Sequence, residues 1–363
     1  MSDIVKIGSK VIGDKSPCFI VFEAGPTHSG LDSAKRLIQY ACQAGADAVK
    51  FQIFNPDRLV SNRQQMYSYE ILSNKETGET ETISEPLYDI FVRRHLADSQ
   101  WIELKTYADS LGLAFFATVG DEEGLNLVTN MKCQSIKIAS ADVNHHPFLK
   151  MVAKTGLCIQ LDTGNSTLGE IEAAVDLIRK EGGHNNMVIH NCPTGYPAHL
   201  ESINLRMIPL LKQAFGCPTA YSDHSVGWEM DIAALSLGAN LIEKTITEDR
   251  STRSVEHIMS LEPHEMRDFV IKVREVEIAL GSSRRILTAE HLNSRKSIRR
   301  SVVLNQDVSK GQKLGDVKVQ FKRPGFGLPP DQYEVMCDYV FNSNYKTGQI
   351  IHAHDLAPLE KFE

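Results

Sequence analysis

The sequence has no Cys-x-x-Cys pair, no Gly-x-Gly-x-x-Gly run and no apolar stretch of eighteen residues. The first absence speaks against a zinc knuckle or a dithiol redox pair. The second weakens any dinucleotide-binding reading. The third leaves nothing to span a bilayer, and the opening Met-Ser-Asp-Ile-Val-Lys carries no apolar leader. Positive charge is not in surplus: 39 Lys and Arg face 46 Asp and Glu, a net charge of −7. That argues against nucleic acid or an acidic membrane as the main partner. A small anionic substrate stays open, because a cleft's local field outweighs net charge. The seven cysteines are odd in number and scattered, mostly in apolar runs. Reduced core cysteines in a cytoplasmic protein are the expectation.

What is present is an ordinary globular balance, 42% hydrophobic and 23% charged over 363 residues. That length predicts one large domain and one smaller. Strands are expected near 18–24, 47–53, 113–118, 134–139, 157–163, 186–191, 218–222 and 240–246. Helices fall between them. One, over 31–44, puts Ala34, Leu37, Ile38 and Ala41 on one face and stops at Gly45. Another runs over 263–281, with Met266, Phe269, Val270, Val273 and Leu280 in helical period. Eight strands alternating with helices predict a (β/α)8 TIM barrel over 1–283. The polar segment 55–100 is too long for a plain loop and reads as a lid or arm over the barrel mouth. Residues 284–300 are basic and without a clear period, so they read as a linker. The rest, 301–363, reads as a small β-rich domain with runs at Ser301–Leu304, Val317–Phe321 and Gln349–His352.

Two lysines stand where apolar residues are expected. Lys50 lies in Ala48-Val49-Lys50-Phe51-Gln52 and Lys137 in Ser135-Ile136-Lys137-Ile138-Ala139. A buried ammonium is costly unless an anion meets it. The pair points to a site for an anionic ligand, phosphate first; pairing with nearby carboxylates is the alternative.

Barrel chemistry sits at the C-terminal ends of the strands. Those ends carry Glu23, Gly25 and His28; Lys50 and Gln52; Thr118; Lys137 and Ser140; Asp162 and Thr163; His190, Asn191, Thr194 and Tyr196; Ser222, Asp223 and His224; Glu243 and Lys244. Such a concentration of polar groups on apolar strands is hard to explain by folding alone. The lysines favour phosphate or carboxylate oxygens. Gly164 to Thr167 precedes a helix and reads as an anion-binding N-terminus, or as a plain cap with Glu170 completing a box. His224, beside acids, is a metal-ligand or acid–base candidate. Glu243 has apolar neighbours, which predicts either a raised pKa for proton transfer or a salt bridge to Lys50 or Lys137.

Four runs together resemble the sialic acid synthase family: Glu23-Ala24-Gly25-Pro26-Thr27-His28-Ser29-Gly30, Gly45 to Gln52, Tyr221-Ser222-Asp223-His224-Ser225 and Lys322-Arg323-Pro324-Gly325. The resemblance covers nearly the whole chain. It implies a TIM barrel plus an antifreeze-like (SAF) domain in a domain-swapped homodimer. It also implies condensation of phosphoenolpyruvate with an open-chain N-acylated hexosamine, giving a nine-carbon 2-keto-3-deoxy acid and phosphate. Carried over by motif, Lys50, Thr118, Lys137, Ser140, Thr194 and Ser222 hold phosphoenolpyruvate. Glu23, Tyr196, Glu256 and the partner chain's Arg323 face the sugar. His224 binds a divalent metal ion, manganese or magnesium. Glu243, Glu23, Lys50 and Lys137 are the implied catalytic groups.

The chain departs from the family pattern at several points. Thr245 stands where the family has a second metal-binding histidine. Asp162 replaces a serine near the phosphate, Glu256 followed by His257 replaces a sugar-contacting aspartate, and Asn191-Cys192 replaces a His-Cys pair. Two rival readings follow: a divergent barrel lyase or aldolase, or a sugar-binding homologue without catalysis.

Overall fold

The computed structural model describes residues 4–182 and 185–361. The chain divides into two compact units, Met1–Gly281 and Ser282–Glu363. The first unit opens with a short hairpin, β1 (Val5–Ile7) and β2 (Lys10–Ile12). Then come β3 (Phe19–Glu23), β4 (Ala48–Gln52), an inserted antiparallel pair β5 (Met66–Asn74) and β6 (Glu79–Pro86), and β7 (Ala114–Thr118). The remaining strands are β8 (Ser135–Ile138), β9 (Cys158–Asp162), β10 (Met187–Asn191), β11 (Thr219–Asp223) and β12 (Leu241–Thr245). Strands β3, β4 and β7 to β12 pair in parallel and close on themselves as an eight-stranded barrel. The eight expected strands all form, each within a few residues of its expected bounds.

Alternation along the strands explains both the core and the site. Side chains of a strand point to opposite faces in turn. Outward residues such as Phe22, Val49, Phe51, Ile136, Leu161 and Ile242 join the helices in one apolar cluster. Inward residues Phe19, Val21, Ala48, Phe116, Val188, Ala220 and Leu241 form a second cluster with Val5, Ile7 and Ile12. The β1–β2 hairpin therefore fills the N-terminal end of the barrel with apolar side chains. Two residues further along the inward face stand Glu23 after Val21, Lys50 after Ala48, Thr118 after Phe116, His190 after Val188, Ser222 after Ala220 and Glu243 after Leu241. The barrel interior thus changes from apolar to polar within one layer.

The helix Leu31–Ala44 buries Ala34, Leu37, Ile38 and Ala41 and ends at Gly45, whose φ of 89° suits glycine. The helix Pro263–Leu280 buries Met266, Phe269, Val270 and Val273, but Leu280 is exposed at its end. The 55–100 segment is an arm built on β5 and β6, followed by the helix Leu87–Val92. Its Tyr69, Ile71 and Ile90 pack with Val255. Ion pairs Lys75–Glu262 at 2.5 Å and Arg253–Glu81 at 3.2 Å tie it to the segment after β12.

In the second unit, the stretch read as a linker carries a helix, Ala289–Ile298, with no buried residue. A helix without a buried face shows no hydrophobic period, which is why the sequence does not mark it. Ser301–Leu304 pairs antiparallel with Val319–Lys322, and Val340–Phe341 with Leu356–Ala357. The expected strand at Gln349–His352 contributes only an isolated bridge, Val303 to Ile350. Five of the seven cysteines are buried and none forms a disulfide. No helix among the described residues is long and apolar enough to cross a membrane.

Candidate active site

The polar layer is the floor of a cavity of about 390 Å³ at the C-terminal end of the barrel. Its centre is Glu243, which takes one lysine on each carboxylate oxygen: Lys50 Nζ at 2.6 Å from Oε1 and Lys137 Nζ at 2.7 Å from Oε2. Lys50 also meets Glu23 Oε2 at 2.5 Å, and Lys137 meets Asp162 Oδ1 at 3.0 Å. Ser222 joins them, accepting from Lys137 at 3.2 Å and donating to Glu243 Oε1 at 3.1 Å. The two lysines are therefore bound together through one carboxylate, as strands β4, β8 and β12 converge on the axis.

The ionisation of these groups follows from burial and pairing. Burial pushes the Glu243 pKa up, but Lys137 and Lys50 outweigh it and hold the carboxyl well below its ordinary range. The raised pKa expected for Glu243 is thus corrected; the salt-bridge alternative holds, and to both lysines. Burial pulls the Lys50 pKa down, yet Glu23 and Glu243 more than reverse it, so the ammonium is kept. Glu23 and Asp162 are both pushed up by burial, partly offset by Lys50 and Lys137 respectively. His190, wholly buried, lies with Nδ1 3.4 Å from Lys137 Nζ. Its pKa falls well below the ordinary value through burial and then Lys137, so its ring is neutral.

Local backbone supports this layer. The Gly25 amide donates to Glu23 Oε1 at 2.6 Å. A Cβ on Gly25 would stand 2.5 Å from the Gln52 amide nitrogen, so only glycine allows β3 to turn that close to β4. A Cβ on Gly164 would lie 2.9 Å from the Cys192 carbonyl oxygen and 3.2 Å from Ser140 Oγ. Thr167 caps the helix Leu168–Gly182: its hydroxyl accepts from the Glu170 amide at 3.3 Å, and its own amide donates to Glu170 at 2.7 Å. That is the capping box, and it accounts for the loop without an anion.

The cavity wall carries Glu23, Lys50, Thr118, Ser140, Asp162, Tyr196, Ser222, His224, Glu243 and Glu256, with Lys137 beneath. Thr194 lies apart, in a neighbouring cleft with Asn165, Ser166 and Arg206. Arg323 belongs to the second unit, where it is exposed just after Val319–Lys322. The arm adds residues that sequence reasoning did not single out: Tyr67, Leu87, Ile90, Phe91 and Arg94. Arg93 pairs with Glu85 at the surface at 2.6 Å, whereas Arg94 is buried. Nothing in the run Arg93-Arg94-His95 marks which arginine turns inward. Glu256 has a φ of 73°, and burial raises its pKa to about 7 against the opposing pull of Arg94.

His224 Nδ1 donates to the Pro193 carbonyl oxygen, 2.9 Å away. Burial lowers its pKa to about 4, so the ring is neutral with Nε2 available as a ligand. A metal centre needs more donors. The only cluster of three His, Cys, Asp or Glu donor atoms among the described residues is Glu262, His264 and Glu265, which does not include His224. His257 turns elsewhere, its Nδ1 2.7 Å from Thr247 Oγ1. The side chains around His224 do not fit a protein-built metal centre.

Comparison with known proteins places this geometry in context. A model of the NeuB family matches residues 37–285. The chain is 31% identical to the N,N'-diacetyllegionaminic acid synthase of Legionella pneumophila, over 94% of this chain and 95% of that protein. It is 31% identical to the human N-acetylneuraminate-9-phosphate synthase, over 83% of this chain and 81% of that protein. The crystal structure of N-acetylneuraminic acid (sialic acid) synthetase from Leptospira borgpetersenii superposes with a TM-score of 0.69 at 29% identity, over 82% of this chain and 98% of that one.

Proposed function

The chain belongs to the NeuB family, and on that footing we propose that it condenses phosphoenolpyruvate with an open-chain N-acylated hexosamine. The products are a nine-carbon 2-keto-3-deoxy sugar acid and inorganic phosphate. The observation that carries this reading is the Lys50–Glu243–Lys137 bridge on the cavity floor. Phosphoenolpyruvate brings a phosphate and a carboxylate, and two ammonium groups held at a fixed separation match two anionic ends. Thr118, Ser140 and Ser222 add hydroxyl donors to the cavity lining.

In the reaction, carbon 3 of phosphoenolpyruvate forms a bond to the sugar's aldehyde carbon, and the aldehyde oxygen takes a proton. Water adds at carbon 2, and phosphate departs from that carbon, leaving the ketone. The lysines hold the anion against charge repulsion while Glu243 keeps both ammonium groups in place. Glu23, Tyr196 and Glu256 line the part of the cavity that remains for the sugar. The Tyr196 and His224 rings stand 4.6 Å apart, centroid to centroid, and form one wall of that part. The divalent metal that the family resemblance implies enters no step here, since the donors around His224 do not build a site for it.

A SAF-type second unit, a swapped homodimer bringing the partner chain's Arg323 to the sugar, and a cytoplasmic location are parts of the same proposal. Phosphate release with phosphoenolpyruvate and a panel of mono- and di-N-acylated hexosamines tests the reaction. Acceptor-dependent release with a new keto acid is the expected result. Release from no member of the panel sinks the proposal.

A further inference from the structure

Arg94 is the least satisfied charge in the cavity wall. It is only 8% exposed, and its Nε and Nη2 have no hydrogen-bond partner. No ion pair of Arg94 forms among the described residues, although burial weakens its hold on the proton and Glu256 and Glu23 work the other way. A buried guanidinium without acceptors is costly, and a fold keeps one where a ligand supplies them. Glu256 stands in the same wall, close enough to be felt electrostatically by Arg94 but not bonded to it. Around the two lie apolar side chains of the arm and of the segment after β12: Tyr67, Leu87, Ile90 and Val255.

This combination selects a chemical group. Arg94 can only donate. An ionised Glu256 can only accept. The group between them must offer an acceptor to one and a donor to the other, and must leave something apolar for the wall. A phosphate or carboxylate fits poorly, because Glu256 opposes it and the surrounding apolar side chains give no further donors. A bare hydroxyl fits the polar pair but leaves the apolar wall empty. An acylamino group has all three parts: carbonyl oxygen, N–H and alkyl tail.

We propose that Arg94 is a specificity-determining residue of this chain, donating to the carbonyl oxygen of an acylamino group on the acceptor while Glu256 accepts from its N–H. The inference rests on the reading above that the acceptor is an acylated amino sugar. Sequence alone could not reach it, since Arg94 sits in a basic run on the arm.

The test compares an N-acylated hexosamine with the parent hexose that carries hydroxyl in place of acylamino. Wild type, Arg94→Gln and Arg94→Met are assayed for kcat and KM with each acceptor. The ratio of kcat/KM between the acylated and parent sugars should fall on the order of 100-fold in both variants. The loss should lie mainly in the acceptor KM. A ratio unchanged within about threefold overturns the assignment. Removing an unpaired buried charge does not destabilise by that loss alone, so a melting temperature near wild type in either variant suffices to read the result. If wild type turns over neither sugar, the proposed reaction fails, and calorimetric binding of the acylated sugar decides this point instead. Binding that weakens in both variants supports the role of Arg94; binding that is absent, or indifferent to Arg94, overturns it.

Discussion

Replacing Asp162 with asparagine should tighten phosphoenolpyruvate binding. Asp162 Oδ1 lies 3.0 Å from Lys137 Nζ, so Lys137, proposed above as a partner of phosphoenolpyruvate, already faces this carboxylate of the protein. Three carboxylates, Glu23, Glu243 and Asp162, face the two lysines. A substrate oxygen that takes Lys137 as partner comes within about 6 Å of the Asp162 carboxylate, since each anion sits roughly 3 Å from the same nitrogen. Two like charges at that separation repel by about 3 kcal/mol at an effective dielectric of about 20, and by under 1 kcal/mol if water screens them fully. Asp162→Asn removes the charge and keeps an oxygen for Lys137. The KM for phosphoenolpyruvate should therefore fall by roughly 3- to 100-fold. The pH dependence gives a second reading. Burial raises the Asp162 pKa, so lowering pH neutralises the group earlier than usual. Wild type and variant should converge as pH falls and diverge as it rises. Steady-state kinetics from pH 6 to 9 measures both effects. A KM that is unchanged or higher in Asp162→Asn, with an unaltered melting temperature, refutes the argument that Asp162 competes with substrate for Lys137.

Two further outcomes follow from the same charges. Glu256, held near a pKa of about 7 by burial, accepts from the acceptor's N–H more strongly when ionised; kcat/KM for the acceptor should rise with pH through that value, and Glu256→Gln should flatten the profile. The donors around His224 do not close on a metal, so the purified protein should carry substoichiometric divalent metal by elemental analysis. One equivalent that is lost in His224→Ala would show that donors other than those seen here complete a site.

The barrel was legible because its signal is regular. Eight apolar runs at helix-length intervals leave few alternatives, and parallel strands buried on both faces read as continuous apolar segments. Lys50, Lys137 and Glu243 stood out for the same reason: a charge inside such a run breaks the pattern it sits in. Their partners did not stand out. The sequence offered Glu243 as either a raised acid or a salt bridge, and only the closure of the barrel brings β12 within reach of both β4 and β8 so that one carboxylate serves both lysines. Asp162 was visible as a negative charge at the same end, and the folded barrel sets it against Lys137.

What stayed hidden lies where local pattern carries no information. The helix Ala289–Ile298 buries nothing, so its sequence has no period to read. The arm is polar along most of its length, and its inward residues follow from how β5 pairs with β6 rather than from composition. Arg93 and Arg94 are chemically identical neighbours, yet one ends on Glu85 at the surface and the other beside Glu256 in the cavity. These two kinds of residue divide the site by origin. The floor comes from strands whose spacing is fixed by the barrel, and in the proposed reaction it would meet phosphoenolpyruvate, the part that reactions of this type share. The wall comes from the arm and from the segment after β12, which are free to vary without disturbing the barrel. On that division the proposed role of Arg94 and Glu256 predicts that exchanging the arm changes the preferred sugar while leaving the proposed phosphoenolpyruvate site at Lys50 and Lys137 in place.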